Sequence, residues 1–183
     1  MSPTSIVILV IAVLVIIGIA VMILRSRERE RLQKHFGSEY EHQVEAAGGS
    51  KARAEAELLK REKRVHKLGI KPLPPRERDR FAEEWQQVQA RFVDDPERSI
   101  ALADALVAEV MSARGYPVQD FEQRAADISV EHPKVVENYR AAHDIAIRHS
   151  KGKAGTEDLR AALLGYRSLF DELLGVDQAE LAH

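Results

Sequence analysis

Ile6–Leu24 reads IVILVIAVLVIIGIAVMIL, nineteen residues without a charged or strongly polar side chain, fifteen of them Ile, Leu or Val. As a helix rising about 1.5 Å per residue the run extends roughly 28 Å, enough to cross the hydrocarbon core of a bilayer. At about −0.3 to −0.6 kcal/mol per aliphatic residue near mid-membrane, insertion is favoured by several kcal/mol. A buried helix of a water-soluble protein can be as apolar, but this run meets Arg25, Arg27, Arg29 and Arg31 at once. It predicts an N-terminal transmembrane helix over residues 6–24. That places the chain without saying what it does.

A cleaved signal peptide would need a basic n-region, a shorter apolar core and small residues before the cut. Met1–Ser5 carries no basic side chain, and Met22-Ile23-Leu24 runs straight into arginine. An uncleaved anchor fits better. Flanking positive charge stays on the cytoplasmic side, and Arg25, Arg27, Arg29, Arg31 and Lys34 all follow the span. The expected topology makes residues 1–5 a short extracytoplasmic tail and puts residues 25–183 in the cytoplasm.

The chain has no cysteine, which excludes disulfides and thiolate chemistry. Scarce aromatics and an excess of good helix formers, with no alternating β-branched segment outside the apolar run, predict an all-α fold. The overall charge of −2 hides an asymmetry. Residues 25–80 hold sixteen Lys/Arg against ten Asp/Glu, net +6, and residues 81–183 hold eleven against nineteen, net −8. An anionic leaflet would attract the first segment and repel the second. The acidic distal half and the interrupted basic stretch argue against nucleic acid as a partner.

The span is expected to continue as a basic juxtamembrane helical stalk over 25–69, weakened at Gly37 and broken at Gly48-Gly49. Ser50 can cap a helix over 51–68 whose Ala54, Leu58, Val65 and Leu68 fall on a and d positions. Lys51 and Arg61 share that seam, so the coiled-coil signal supports at most a weak homodimer through the stalk. Residues 70–75 form a Pro-rich linker, with Pro75 near a helix start. A bundle of four to five helices should occupy 76–175, followed by a flexible tail over 176–183. Its stripes are Phe81, Trp85, Val88 and Phe92; Ile100, Ala103, Leu106, Val107 and Val110; Val118, Phe121, Ala125 and Ile128; Val136, Tyr139, His143 and Ile147; and Leu159, Leu163, Tyr166, Phe170, Leu173 and Leu174. Asp95-Pro96 and Thr156 read as helix starts, Pro117 and Pro133 as first-turn prolines, and Gly115 and Gly175 as stops.

Candidate chemistry is sparse. Asp127, Ser129 and His132 bring the residue types of a serine triad into six positions, but no nucleophile elbow or oxyanion loop accompanies them. They are expected to serve a joint between two helices, with Asp127 or Ser129 bonding nearby backbone N–H groups. His35 and His42, and His143 and His149, lack the close spacing and third ligand of a helical zinc site. His143 lies on an apolar stripe, where a hydrogen-bonded core histidine is expected. No metal site, no cofactor and no catalytic residue is assigned.

Arg114-Gly115-Tyr116-Pro117-Val118-Gln119-Asp120-Phe121, Ala126-Asp127-Ile128-Ser129-Val130-Glu131-His132-Pro133, Val136-Glu137-Asn138-Tyr139-Arg140 and Thr156-Glu157-Asp158-Leu159-Arg160 resemble an uncharacterised group of bacterial proteins. That group looks like single-pass membrane or secreted proteins with a helical C-terminal domain. The resemblance covers roughly residues 76–174 and implies no activity or cofactor. It points to a bacterial plasma membrane as the address. The expected role is a non-catalytic, membrane-anchored interaction or scaffold module that holds a protein partner near the lipid bilayer. The alternatives are an enzyme with a site near Asp127, Ser129, His132 and His143, and a stalk that senses anionic lipid.

Overall fold

In the computed structural model, which describes the backbone of residues 3–175 and the side chains of residues 11–175, every regular element is an α-helix. The outer ends of the two expected tails, residues 1–2 and 176–183, lie outside the described residues, and residues 3–5 already belong to the first helix.

Helix α1 (Pro3–Phe36) runs without a break from the apolar stretch into the arginine-rich one. Its residues 11–24 are all exposed, with Leu14, Ile16 and Met22 each more than 60% accessible. Among the described residues no helical stretch is long and apolar enough to cross a membrane. From Ile11 to Leu24 there are fourteen residues without a polar side chain, about 21 Å of helix. The rest of the expected span, Ile6–Val10, has side chains outside the described residues.

Beyond Arg31 the character of α1 changes. Leu32 and Phe36 are fully buried, one turn apart, and Tyr40 and Val44 continue the line across Gly37 into α2 (Ser38–Ala46). Gly37, Gly48 and Gly49 all have positive φ (53°, 66° and 82°), so glycine supplies both the kink and the turn into α3 (Lys51–Val65). Ser50 precedes α3, but its side chain makes no capping bond. The seam of α3 is buried inside the chain: Ala54, Leu58 and Val65 pack with Leu32, Phe36, Tyr40, Val44 and Val130. That apolar face is therefore covered by the chain's own helices, including those of the expected stalk. Leu68 and Ile70 pack against both this cluster and the main core.

The linker is pinned as well. The Lys71 N–H bonds the Arg114 carbonyl at 2.9 Å and Leu73 is buried. Pro75 then opens α4 (Pro75–Arg91), whose Phe81, Trp85 and Val88 face inward. Asp95 caps α5 (Pro96–Arg114) by accepting the Arg98 N–H at 3.0 Å. Gly115, at φ 100°, closes it, with the Tyr116 N–H returning to the Met111 carbonyl. Helix α6 (Phe121–Glu131) starts later than Pro117 predicts, because the Asp120 carboxylate takes the Gln123 N–H and fixes the start there. Val118 is left outside the helix and 45% exposed. Pro133 opens α7 (Pro133–Ser150), where Val136, Tyr139 and Ala142 are buried and Ile147, expected inside, is 40% exposed.

Helix α8 (Thr156–Leu174) buries its whole predicted stripe and ends at Gly175. Thr156 is its first residue and not its cap; the Gly155 N–H is held instead by the Asp158 carboxylate at 2.7 Å. Helices α4–α8 form a helical bundle with α8 packed between α5 and α7, α4 against α5 and α6 against α7. Gly165 lets α7 and α8 close, since a Cβ there would lie 2.6 Å from the Asn138 carbonyl oxygen. Helices α2 and α3 lie on the α6–α7 side.

Candidate functional site

The polar residues singled out in the sequence meet between α3 and α6, in an arrangement different from the expected one. Asp127 and Ser129 are inside α6, fully buried, and only His132 stands at the joint with α7. Asp127 accepts from Arg64 through both its Nε and an Nη, and from Gln123 Nε2 at 3.1 Å. Ser129 Oγ donates to the Ala126 carbonyl at 2.8 Å and accepts from Arg61 Nη1 at 2.9 Å. Neither side chain bonds a backbone N–H. The expectation of local capping is corrected: inside a helix those N–H groups are already spent on carbonyls one turn back, so the side chains reach another helix.

His132 Nδ1 lies 3.0 Å from a Glu172 carboxylate oxygen on α8. The three residue types of a triad thus have three separate partners. The Ser129 proton is committed to a carbonyl and its oxygen faces a guanidinium, which cannot accept a proton. Ser129→Ala should lower stability by about 1–2 kcal/mol through the lost bond to Arg61, measured by urea denaturation. A serine-directed probe should leave the unaltered chain unlabelled.

Around Ser129 the buried network widens. Glu39 on α2, 1% exposed at its side chain, accepts from Arg61 Nη1 at 2.8 Å and from Arg140 Nε and Nη2 at 3.1 Å each. Arg61 Nη2 donates to Gln43 at 2.7 Å, and Arg140 Nη1 to Glu122 at 2.6 Å. Burial works to lower the Arg140 pKa, and the bonds to Glu39 and Glu122 outweigh it, so the net direction is upward. The guanidinium stays charged. One carboxylate on α2 therefore ties α3 to α7. The sequence offered one signal for this: Arg61 sits on an apolar seam.

His143 is half-buried and stacked on Phe121 at 3.5 Å between ring centres, so an aromatic face takes the place of the expected hydrogen bond. Burial is the main cause of a lowered pKa there, with Asp104 opposing it. Its ring lines an open cleft of about 310 Å³ with Asp104, His149, Leu159 and Tyr166. Among the described residues no group of three His, Asp or Glu side chains is placed to hold a metal ion. His35 bonds the Val130 carbonyl at 2.9 Å, and His42 lies 4.0 Å from Glu39.

The cations after the apolar run divide into two sets. Arg29 pairs with Glu55 at 2.6 Å, and Arg31 with Glu28 and Glu62 at 2.8 Å each; both pairings raise the arginine pKa. Arg25, Arg27 and Lys34 are exposed and make no ion pair among the described residues. No family model, no curated protein and no solved structure matches this chain.

Proposed function

We propose that this chain is a single-pass protein of the bacterial plasma membrane, with the cytoplasmic helical bundle fastened directly to the foot of its own anchor. Its role in this reading is non-catalytic: it presents the bundle to a protein partner at the membrane surface. The observation that carries the reading is α1. Residues 11–24 are exposed around the whole helix, whereas Leu32 and Phe36 of the same unbroken helix are fully buried. A helix apolar on every side has no stable place in water and needs a packed interior or a bilayer around it. Ile6–Val10 extend the apolar sequence to nineteen residues, the length a span requires.

The enzyme alternative rests on Asp127, Ser129, His132 and His143, whose hydrogen bonds and stacking occupy them separately. Orientation follows from Arg25, Arg27 and Lys34, which stay on the cytoplasmic side. A reporter that is active only in the cytoplasm, fused after His183, should give signal in membrane fractions. Activity from an export-dependent reporter at the same position would overturn the topology, and a chain that leaves the membrane fraction in alkaline carbonate would overturn the anchor.

A further inference from the structure

We propose that the turn between α2 and α3 rests on anionic phospholipid headgroups, with Lys51 and Arg53 extending a basic surface begun by Arg25 and Arg27. The inference rests on α1 being the anchor. It follows from the order in which α1 meets the rest of the chain. Arg29 meets Glu55, Arg31 meets Glu62, and His35 meets the Val130 carbonyl beside Ser129, which Arg61 also holds. From Arg29–Glu55 to Arg31–Glu62 the residue numbers rise on both helices, so α3 runs alongside α1 in the same direction, away from Leu24. Helix α2 runs the opposite way: Glu39 at its start meets Arg61 late in α3, while the Gly49 N–H closes the turn onto the Val44 carbonyl. The turn over 47–50 is therefore at the end of this hairpin nearest the apolar run.

Helical rise fixes the level. Arg29 is five residues past Leu24, about 7.5 Å along α1, and Lys51 is four residues before Glu55, about 6 Å back along α3. Measured from this pair Lys51 is about level with Arg25, and measured from Arg31–Glu62 it is nearer still to the apolar run, by about 7.5 Å, within the reach of the paired side chains. In a bilayer whose hydrocarbon ends at Leu24, both are inside a headgroup layer about 5–8 Å deep. Lys51 and Arg53 are exposed and make no ion pair among the described residues. The acids at this level are Glu28, Glu30, Glu45, Glu55 and Glu57; Glu28, Glu55 and Glu57 are held by Arg31, Arg29 and Lys60. Arg25, Arg27, Lys51 and Arg53 thus face only Glu30 and Glu45 as unengaged acids. Each cation this close to an anionic leaflet favours contact by about fivefold, and the effect fades within about 10 Å.

Because the chain has no cysteine, Ala52→Cys gives one labelling site on the exposed first turn of α3. The full-length protein, carrying a fluorophore there, is reconstituted into phosphatidylcholine vesicles with and without phosphatidylglycerol, and quenched by a headgroup-linked spin label. Contact is expected to be favoured up to about 25-fold with phosphatidylglycerol, about fivefold for each of Lys51 and Arg53, read as stronger quenching that falls to the zwitterionic level in Lys51→Glu/Arg53→Glu. Carboxylates in the first turn suit a helix N-terminus, so this variant should keep its circular dichroism spectrum. Equal quenching in both lipids, or quenching unmoved by the double substitution while the protein floats with the vesicles, would overturn the docking and leave the anchor standing. A protein that does not float with either vesicle would overturn the anchor and this inference with it.

Discussion

Glu39→Ala is expected to destabilise the protein by about 3–5 kcal/mol, the cost of leaving a buried charge without its counter-ion. Two guanidiniums, Arg61 and Arg140, converge on this carboxylate, and the Arg61 side chain is only 5% exposed. Without Glu39 they face each other, with Gln43 and Ser129 the nearest relief for Arg61 and Glu122 for Arg140. Glu39→Gln keeps the shape but loses the charge and should fall between the two. Adding Arg61→Met and Arg140→Met to Glu39→Leu should regain much of the loss, because a well-packed apolar group can replace a buried ion pair at little cost. The measurement is urea denaturation of residues 25–183, followed by circular dichroism. The damage should be local first. With the clasp gone, α2 and α3 loosen from α6 and α7, so trypsin should cut sooner after Lys67 than in the unaltered chain. A midpoint unchanged by Glu39→Ala would mean that water reaches this carboxylate and that the clasp carries no load.

How much of this was legible in the sequence depends on how far apart the deciding residues lie. Helix α8 is written locally: its apolar residues recur one turn apart, a glycine ends it, and the structure buries all six of the predicted side chains. The start of α6 depended on which of two nearby signals prevails. Pro117 fits a first turn, but Asp120 offers a carboxylate to an otherwise unpaired N–H, and the side-chain bond decides. Residues 25–69 were harder to read. Their charge suggests a solvated stalk, yet Leu32, Phe36, Tyr40 and Val44 repeat at every fourth position and are buried. Arg61 on the α3 seam looked like a defect in a coiled coil. Its partners Glu39 and Ser129 are 22 and 68 residues away, and no periodicity reports a pairing of that kind. Asp127 and Ser129 misled for the same reason: closeness to His132 in sequence suggested a joint, while their bonds to arginine run to α3. Helix propensity and apolar stripes thus predicted the bundle. The polar clasp that fixes the hairpin to it was decided by tertiary geometry, with Arg61 on the seam its one local sign.

Trp85→Ala should cost about 3–5 kcal/mol, enough to unfold a helical bundle of ordinary stability. Trp85 is 4% exposed and its ring stacks on Phe170 of α8 at 4.6 Å with an interplanar angle of 19°. Truncation removes that contact and opens a void among packed helices that cannot readily collapse. The indole Nε1 has no hydrogen-bond partner among the described residues, so it contributes shape and not polarity. Trp85→Phe should therefore be mild, below about 1.5 kcal/mol, since an aromatic ring remains against Phe170. The pair of variants separates packing from any use of the N–H: a functional indole would make Trp85→Phe as harmful as Trp85→Ala. Both should be melted in residues 25–183, not in a fragment beginning at 76. A cut there removes Leu68, Ile70 and Leu73, which pack on this core, together with the Lys71 bond to Arg114. Trp85 is the only tryptophan in the chain, so its fluorescence reports unfolding of the unaltered protein, and circular dichroism serves for both variants. A melt of Trp85→Ala that scarcely moves would mean the α4–α8 contact is not part of the cooperative core, and α4 would then be free to present that face to a partner.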